Sequence, residues 1–136
     1  MTTQLRSYIK IDCSSFSNLV DEQKEDHAWA ETNCYSNIAV NIFLGLDPTQ
    51  LDNRWPPRGY CVKSSSTETL YPELKERVGG KKFDYYILSV VDTKTKIVYL
   101  EGWIDYETLT QEKNLFKNAY VVSFKDLFSM QNLKCQ

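Results

Sequence analysis

The fold of this chain is decided by Phe83-Asp84-Tyr85-Tyr86-Ile87-Leu88-Ser89-Val90-Val91, a run rich in aromatic and β-branched residues. A second run of the same character, Lys96-Ile97-Val98-Tyr99-Leu100-Glu101-Gly102-Trp103, follows after the polar segment Asp92-Thr93-Lys94-Thr95. Residues of these types favour strands, and the polar segment between them has the composition of a turn. We therefore predict a β-hairpin over residues 83–103.

Helix and strand patterns lie on both sides of this hairpin. A helix is predicted from about residue 27 to residue 44, and its inward stripe includes Glu31 near the N-terminal end. The other predicted elements are a strand within 5–13, a strand over 60–63, a short helix over 106–111, a strand over 120–122 and a terminal helix opened by Ser123-x-x-Asp126. The order is mixed and contains no internal repeat, so we predict an α/β fold.

Composition indicates one ordered globular domain over residues 1–136, with 42% hydrophobic and 25% charged residues. No apolar run approaches the ~18 residues that span a bilayer, and the first residues lack the apolar core of a signal peptide. We therefore expect a soluble, cytoplasmic protein with no membrane partner. The four cysteines form no CxxC pair, so neither a zinc knuckle nor a dithiol redox motif is expected.

Charge is distributed unevenly along the chain. The formal net charge is −2, but residues 54–82 hold seven basic and three acidic side chains, which gives this segment +4 and leaves −6 for the remainder. A basic segment of this kind attracts a phosphate backbone, although a solvated charged loop has the same composition.

The stretch Gly59-Tyr60-Cys61-Val62-Lys63-Ser64-Ser65 carries the main functional signal. Because side chains alternate along a strand, Cys61 and Lys63 project to one side and Tyr60 and Val62 to the other. Asp52 lies eleven residues before Lys63, and Glu31 lies further upstream. Hard divalent cations that hydrolyse phosphodiesters need oxygen ligands and a nearby cation, and these residues offer such groups.

In these features the chain resembles the PD-(D/E)XK nuclease superfamily, in the small restriction-endonuclease-like form of phage and bacterial proteins. The resemblance covers roughly residues 27–130 and includes residues 83–88, Gly102-Trp103-Ile104 and the closing segment 120–127. It implies a central mixed sheet of about four or five strands flanked by α-helices. It also implies a DNA endonuclease that depends on Mg²⁺ or Mn²⁺.

The resemblance assigns roles to five residues. It implies Asp52 and Glu31 as metal ligands, together with the backbone carbonyl of Val62, and Lys63 as the catalytic cation. Cys61 stands at the ligand position where the family has Asp or Glu. A thiol is a soft ligand poorly matched to Mg²⁺, and a neutral Cys removes one negative charge, so metal affinity should fall.

The resemblance also indicates how DNA would be contacted. The family often contacts the DNA backbone at the position of Ser64 and Ser65, and Arg54 and Arg58 lie in the basic loop before the strand. Small nucleases of this fold commonly form homodimers so that two sites cut two strands, and the sequence shows no interface signature for such a dimer.

Each of these residues also has a purely structural interpretation. Glu31 is favoured in the first turn of a helix by the helix dipole. Asp52 has the properties of a turn residue, and Asp47 is a rival for its role. Lys63 at a strand end is commonly a surface lysine, and Cys61 a packed small hydrophobic residue.

Three functional hypotheses follow from the sequence. The first is the metal-dependent endonuclease, and the second is a catalytically inactive nuclease-fold protein that binds nucleic acid or a protein partner. The third is an interaction protein with no nucleic-acid role, which would be favoured if the charges of residues 54–82 were scattered over several faces.

Overall fold

The structure is a computed structural model that describes residues 8–27, 30–49 and 59–133. The strands in this part of the chain are β1 Ile9–Asp12, β2 Tyr60–Ser66, β3 Glu73–Arg77, β4 Tyr85–Asp92, β5 Ile97–Asp105, β6 Leu115–Phe116 and β7 Ala119–Ser123. The α-helices are α1 Ser17–His27, α2 Glu31–Phe43, α3 Tyr106–Leu109 and α4 Met130–Leu133.

The predicted hairpin is confirmed as the antiparallel pair β4 and β5. Its turn is stabilised by Asp92, whose carboxylate accepts hydrogen bonds from the backbone N–H groups of Lys94 and Thr95 at 3.0 and 3.3 Å. Lys96 closes the turn in a left-handed conformation, with φ of 65°, and its N–H donates to the carbonyl of Asp92 at 2.8 Å. A polar turn thus connects two apolar strands, as the composition predicts.

The described strands form two sheets. The larger is mixed, with the order β1-β5-β4-β2, in which β2 is parallel to β4 and lies at one edge. The smaller is antiparallel, with the order β3-β7-β6. The mixed α/β class and a four-stranded mixed sheet are therefore confirmed. The smaller sheet is an addition to the predicted architecture.

The two faces of the larger sheet are covered differently. On one face, Tyr35 and Ile38 of α2 pack in the same apolar core as Ile87 and Val91 of β4. On the opposite face, Tyr86 and Leu88 of β4 share a second core with Leu74 and Val122 of the smaller sheet, and with Leu109 of α3. Helices α1 and α2 thus lie on one side of the larger sheet, and the smaller sheet and α3 lie on the other.

Two predicted helices have different bounds in the structure. The helix expected from about residue 27 begins at Glu31, and a separate helix, α1, precedes it and ends at His27. The terminal helix expected at Ser123 is a 3-10 turn, Phe124–Asp126, followed by α4 from Met130. Among the described residues no helix is long and apolar enough to cross a membrane.

Gly102 and Trp103 hold the C-terminal segment against β5. Trp103 exchanges backbone hydrogen bonds with Phe128 at 3.0 and 2.8 Å, and its indole N–H donates to the Ser129 carbonyl at 2.9 Å. A Cβ atom on Gly102 would lie 2.6 Å from the Cβ of Leu127 and 2.8 Å from the carbonyl oxygen of Phe128. Glycine is therefore required here for space.

Candidate functional site

The strand β2 positions its side chains in the predicted alternation. Tyr60 and Val62 pack against the core that α2 covers, whereas Cys61 packs against the core shared with the smaller sheet. Lys63, two residues after Cys61, faces the same side as Cys61, and its Nζ lies 3.5 Å from the Oε2 of Glu76 on β3. The sequence argument for one shared side of Cys61 and Lys63 is thus confirmed.

Glu76 is the acidic partner of Lys63, and it was missed in the sequence. Its side chain is 16% exposed and its other oxygen, Oε1, accepts a hydrogen bond from the N–H of Arg77 at 2.9 Å. Gly80 lies close by, since a Cβ atom there would be 3.3 Å from Glu76 Oε1. The alternation of residues 73–77 could have indicated this position, because Leu74 and Glu76 share the inward side of β3.

Cys61 has the environment of a packed thiol. Burial is the main cause that raises the pKa of Cys61; the Glu76 carboxylate raises it further, while the Lys63 ammonium lowers it. The thiol is therefore protonated at neutral pH and carries no charge toward a metal ion. This environment agrees with the structural interpretation of Cys61 as a small hydrophobic residue.

Glu31 is held in a different place, at the first residue of α2. Its Oε1 accepts a hydrogen bond from Lys96 Nζ at 3.0 Å, and its Oε2 lies 3.9 Å from Lys24 Nζ. The hydrogen bond from Lys96 to Glu31 raises the pKa of Lys96. The Lys96 ammonium also donates to the Thr93 carbonyl at 2.6 Å, so Glu31 connects α2 to the β4–β5 turn.

The structure does not bring Glu31 and Lys63 together. Helix α2 lies on the face of the larger sheet that receives Tyr60, Val62 and Ser64, and Ser64 Oγ donates to Asn33 Oδ1 of that helix at 2.7 Å. Lys63 projects to the opposite face, where Glu76 pairs with it. Glu31 and Lys63 therefore extend from opposite faces of the larger sheet, each toward a different partner. The physical reason is the period of two along β2.

The remaining predicted residues fall into two groups. Asp52, Arg54 and Arg58 lie outside the described residues. Of the others, Ser65 is half-buried and follows the alternation of Lys63, whereas the Val62 side chain packs in the core under α2.

Asp47, the rival of Asp52, closes a turn. Its carboxylate accepts hydrogen bonds from the N–H and the hydroxyl of Thr49 at 2.9 and 2.7 Å. These hydrogen bonds lower the pKa of Asp47. Asp47 thus has a local structural role in an exposed turn.

The described cations of residues 59–82 point in several directions. Lys63 faces Glu76, and Lys75 is exposed on the outer side of the smaller sheet. Lys81 and Lys82 lie over the rings of Phe83 and Tyr106, at 5.3 and 4.9 Å from the ring centroids. This segment by itself therefore does not form one basic face in the described residues, which favours the interaction-protein hypothesis over DNA binding by this segment alone.

Lys75 instead belongs to a basic groove, whose other lysines, Lys113 and Lys117, lie far from it in the sequence. The groove has a volume of about 640 Å³ on the outer side of the smaller sheet. It is lined by Glu73, Lys75, Lys113, Asn114, Leu115, Phe116, Lys117, Asn118, Ala119 and Val121. Three lysines against one glutamate give this lining a net charge of +2 within a protein of net charge −2.

Apolar side chains form part of the same groove. Phe116 is 64% exposed and Leu115 is 46% exposed. In the sheet register, Phe116 pairs with Ala119, and Ala119 pairs with Arg77. The Lys117 ammonium lies 5.5 Å from the centroid of the Phe116 ring. The basic groove therefore contains an exposed aromatic ring with a cation over one of its faces.

Neither a family assignment nor a metal centre emerges from these observations. No protein-family model, curated protein or solved structure matches the chain. Within the described stretches of the chain, no three His, Cys, Asp or Glu side chains are grouped so that they could hold a metal ion. Glu31 and Lys63 are the two described residues whose charges were expected at the metal site. Glu31 pairs with Lys96, and Lys63 pairs with Glu76.

Proposed function

We propose that this protein binds nucleic acid through the basic groove, without a metal centre that includes Glu31. It would be a relative of the restriction-endonuclease-like domains in which binding is retained and the expected catalytic arrangement is not. The restriction-endonuclease-like architecture itself is part of this proposal. The observation that carries the binding is the basic groove, with three lysines in its lining and an exposed Phe116. The separate pairings of Lys63 with Glu76 and of Glu31 with Lys96 support the part of the proposal that concerns the metal centre.

The charge of the basic groove supports a polyanionic partner. Lys75, Lys113 and Lys117 surround one acidic residue, Glu73. Lysines grouped on one face attract phosphates because each contact releases condensed counterions into solution. A net-negative protein gains no such attraction from its overall charge, so the local arrangement must supply it.

The proposal is tested with the full chain by a binding titration against fluorescent DNA at low salt. Lys75, Lys113 and Lys117 are changed together to Gln, and a matched variant carries the same change at Lys10, Lys24 and Lys94. These control lysines lie on β1, α1 and the β4–β5 turn, outside the groove lining. We expect the groove variant to bind much more weakly than the wild type and the control to retain its affinity. Equal binding by both variants would contradict the proposal.

A second candidate is favoured by the position of Glu76. In this hypothesis the protein is an Mg²⁺- or Mn²⁺-dependent endonuclease in which Glu76, 3.5 Å from Lys63, replaces Glu31. The two candidates are separated by a cleavage assay with both metals on duplex and single-stranded DNA. Cleavage that is lost in Glu76→Gln and Lys63→Ala, but kept in Glu31→Gln, would favour the second candidate.

Cys61 gives an additional test of this second candidate. Cys61→Asp places a carboxylate on the side of β2 that carries Lys63, and a hard anionic oxygen suits Mg²⁺ better than a neutral thiol. The endonuclease hypothesis expects tighter Mg²⁺ binding and new or faster cleavage in this variant. The binding proposal expects neither, in a variant whose circular dichroism shows that it is folded.

A further inference from the structure

We infer that the basic groove takes single-stranded nucleic acid and stacks a base on Phe116. This inference rests on the proposed function and specifies the form of its ligand. Phe116 is 64% exposed, and an aromatic residue with that exposure is available to a ligand that brings its own flat apolar surface.

The arrangement around the ring matches the two parts of a nucleotide. The Lys117 ammonium lies over one face of the Phe116 ring, 5.5 Å from its centroid. The base would stack on the other face, and Lys117 would pair with a phosphate beside the ring. Lys75 follows two strands away, on β3, and its register partner Val121 is part of the groove lining between them. Cations beside an aromatic platform are the features by which single strands are bound without sequence preference.

The same features disfavour a duplex. In a duplex the base faces are covered by their neighbours in the stack, so Phe116 would find no ring to contact. The lining comes from β3, β6, β7, the turn between β6 and β7, and the residues just before β6. It contains no α-helix of the length that enters a major groove. A duplex would therefore gain only the phosphate contacts of the three lysines.

An acidic protein would also gain only part of the available contacts. Its carboxylates can pair with the lysines, but it offers no base to stack on Phe116. Phe116 would therefore contribute little to its affinity. A polyglutamate probe distinguishes this class of ligand from nucleic acid.

The inference is tested by the affinity of Phe116→Ala for oligothymidylate of about 16 nucleotides and for a duplex of the same length. Tyr71→Ala is the matched control, because Tyr71 is an aromatic residue that is 71% exposed outside the groove. Fluorescence anisotropy is measured for both variants and for the wild type at one salt concentration, with polyglutamate as a competitor.

We expect Phe116→Ala to weaken single-strand binding about tenfold or more, since one stacked base contributes that much, and to leave duplex binding unchanged. Tyr71→Ala should behave as the wild type. Duplex binding as tight as single-strand binding, no effect of Phe116→Ala, or competition by polyglutamate at equal charge concentration would overturn the inference. In the first two cases, dependence on the three lysines would leave the proposed function intact. If neither DNA form binds, both the inference and the proposed function fail.

Discussion

The Lys63 ammonium lies 3.5 Å from a carboxylate oxygen of Glu76, on the face of the larger sheet opposite to the helix that carries Glu31. Glu31 pairs instead with Lys96, at 3.0 Å. The pair of Lys63 with Glu76 is thus separate from the pair of Lys96 with Glu31. One connects β2 to the smaller sheet and the other connects α2 to the hairpin turn.

A double-mutant cycle should show that these pairs are independent. We expect Lys63→Met and Glu76→Gln to couple by about 1 kcal/mol, as contacting groups do. The coupling between Lys63→Met and Glu31→Gln should be below about 0.3 kcal/mol, because the sheet separates the side chains. Urea unfolding of the single and double variants measures both values. Coupling of Lys63 to Glu31 as large as that to Glu76 would contradict the described geometry.

The buried pair of Ser36 and Ser89 should be cooperative in stability. Ser36 of α2 and Ser89 of β4 are fully buried and their hydroxyl groups hydrogen-bond to each other. Ser89→Ala should lower the free energy of unfolding by about 1–3 kcal/mol, because it leaves the buried Ser36 hydroxyl without its hydrogen bond to Ser89. The double variant, with Ala at both positions, should lose less stability than the sum of the losses in the two single variants. Additive losses in urea unfolding would show that the two hydroxyls do not act as a pair.

Gly102→Ala should destabilise the protein by about 1–3 kcal/mol. The added Cβ would lie 2.8 Å from the Phe128 carbonyl oxygen, which is backbone paired to Trp103 and has little freedom to move. Thermal unfolding and the fluorescence of the tryptophans measure the effect. An unchanged melting temperature would mean that the C-terminal segment is not packed against β5 as described.

Alkaline pH should destabilise the protein in part through Cys13. Burial is the main cause that raises the pKa of Cys13 to about 12, from an ordinary value of 9.0. The unfolded thiol therefore ionises first, so stability falls as pH rises above about 9 and the loss is complete above about 12. Between those limits the slope from this group approaches 1.4 kcal/mol per pH unit.

Cys13→Ala isolates that contribution. The variant should be less stable at pH 7 because it loses a buried side chain, but its stability should fall less steeply with rising pH than that of the wild type. Urea unfolding across the alkaline range compares the two slopes. Parallel slopes would show that the Cys13 thiol does not titrate differently in the folded and unfolded states.

The hairpin and the alternation of β2 could be predicted because their signals are local. Apolar and β-branched residues decide a strand within a few positions, and the period of two then fixes that Cys61 and Lys63 share a side. The smaller sheet could not be predicted in the same way. Its strand β3 is Glu73-Leu74-Lys75-Glu76-Arg77, with one apolar residue, and its strand β6 has two residues.

The grouping of the site residues depended on distances that the sequence does not encode. Glu31 and Lys96 are 65 positions apart, and they pair because the first residue of α2 lies beside the end of the hairpin turn. Likewise, Lys75 joins Lys113 and Lys117 only because β3 pairs with β7. The expected site grouped Glu31 with Lys63 from their order in the sequence. In the structure the two side chains lie on opposite faces of the larger sheet.

The salt dependence of binding tests the central claim most directly. Log affinity for an oligothymidylate, plotted against log salt, has a slope set by the number of phosphates that cations neutralise. The account predicts that changing Lys75, Lys113 and Lys117 to Gln makes this slope less negative by about 2, since each cation contributes about 0.7 on a single strand. Lys10, Lys24 and Lys94 changed to Gln should leave the slope as in the wild type. Identical slopes for the two triple variants would contradict the assignment of nucleic-acid binding to the basic groove.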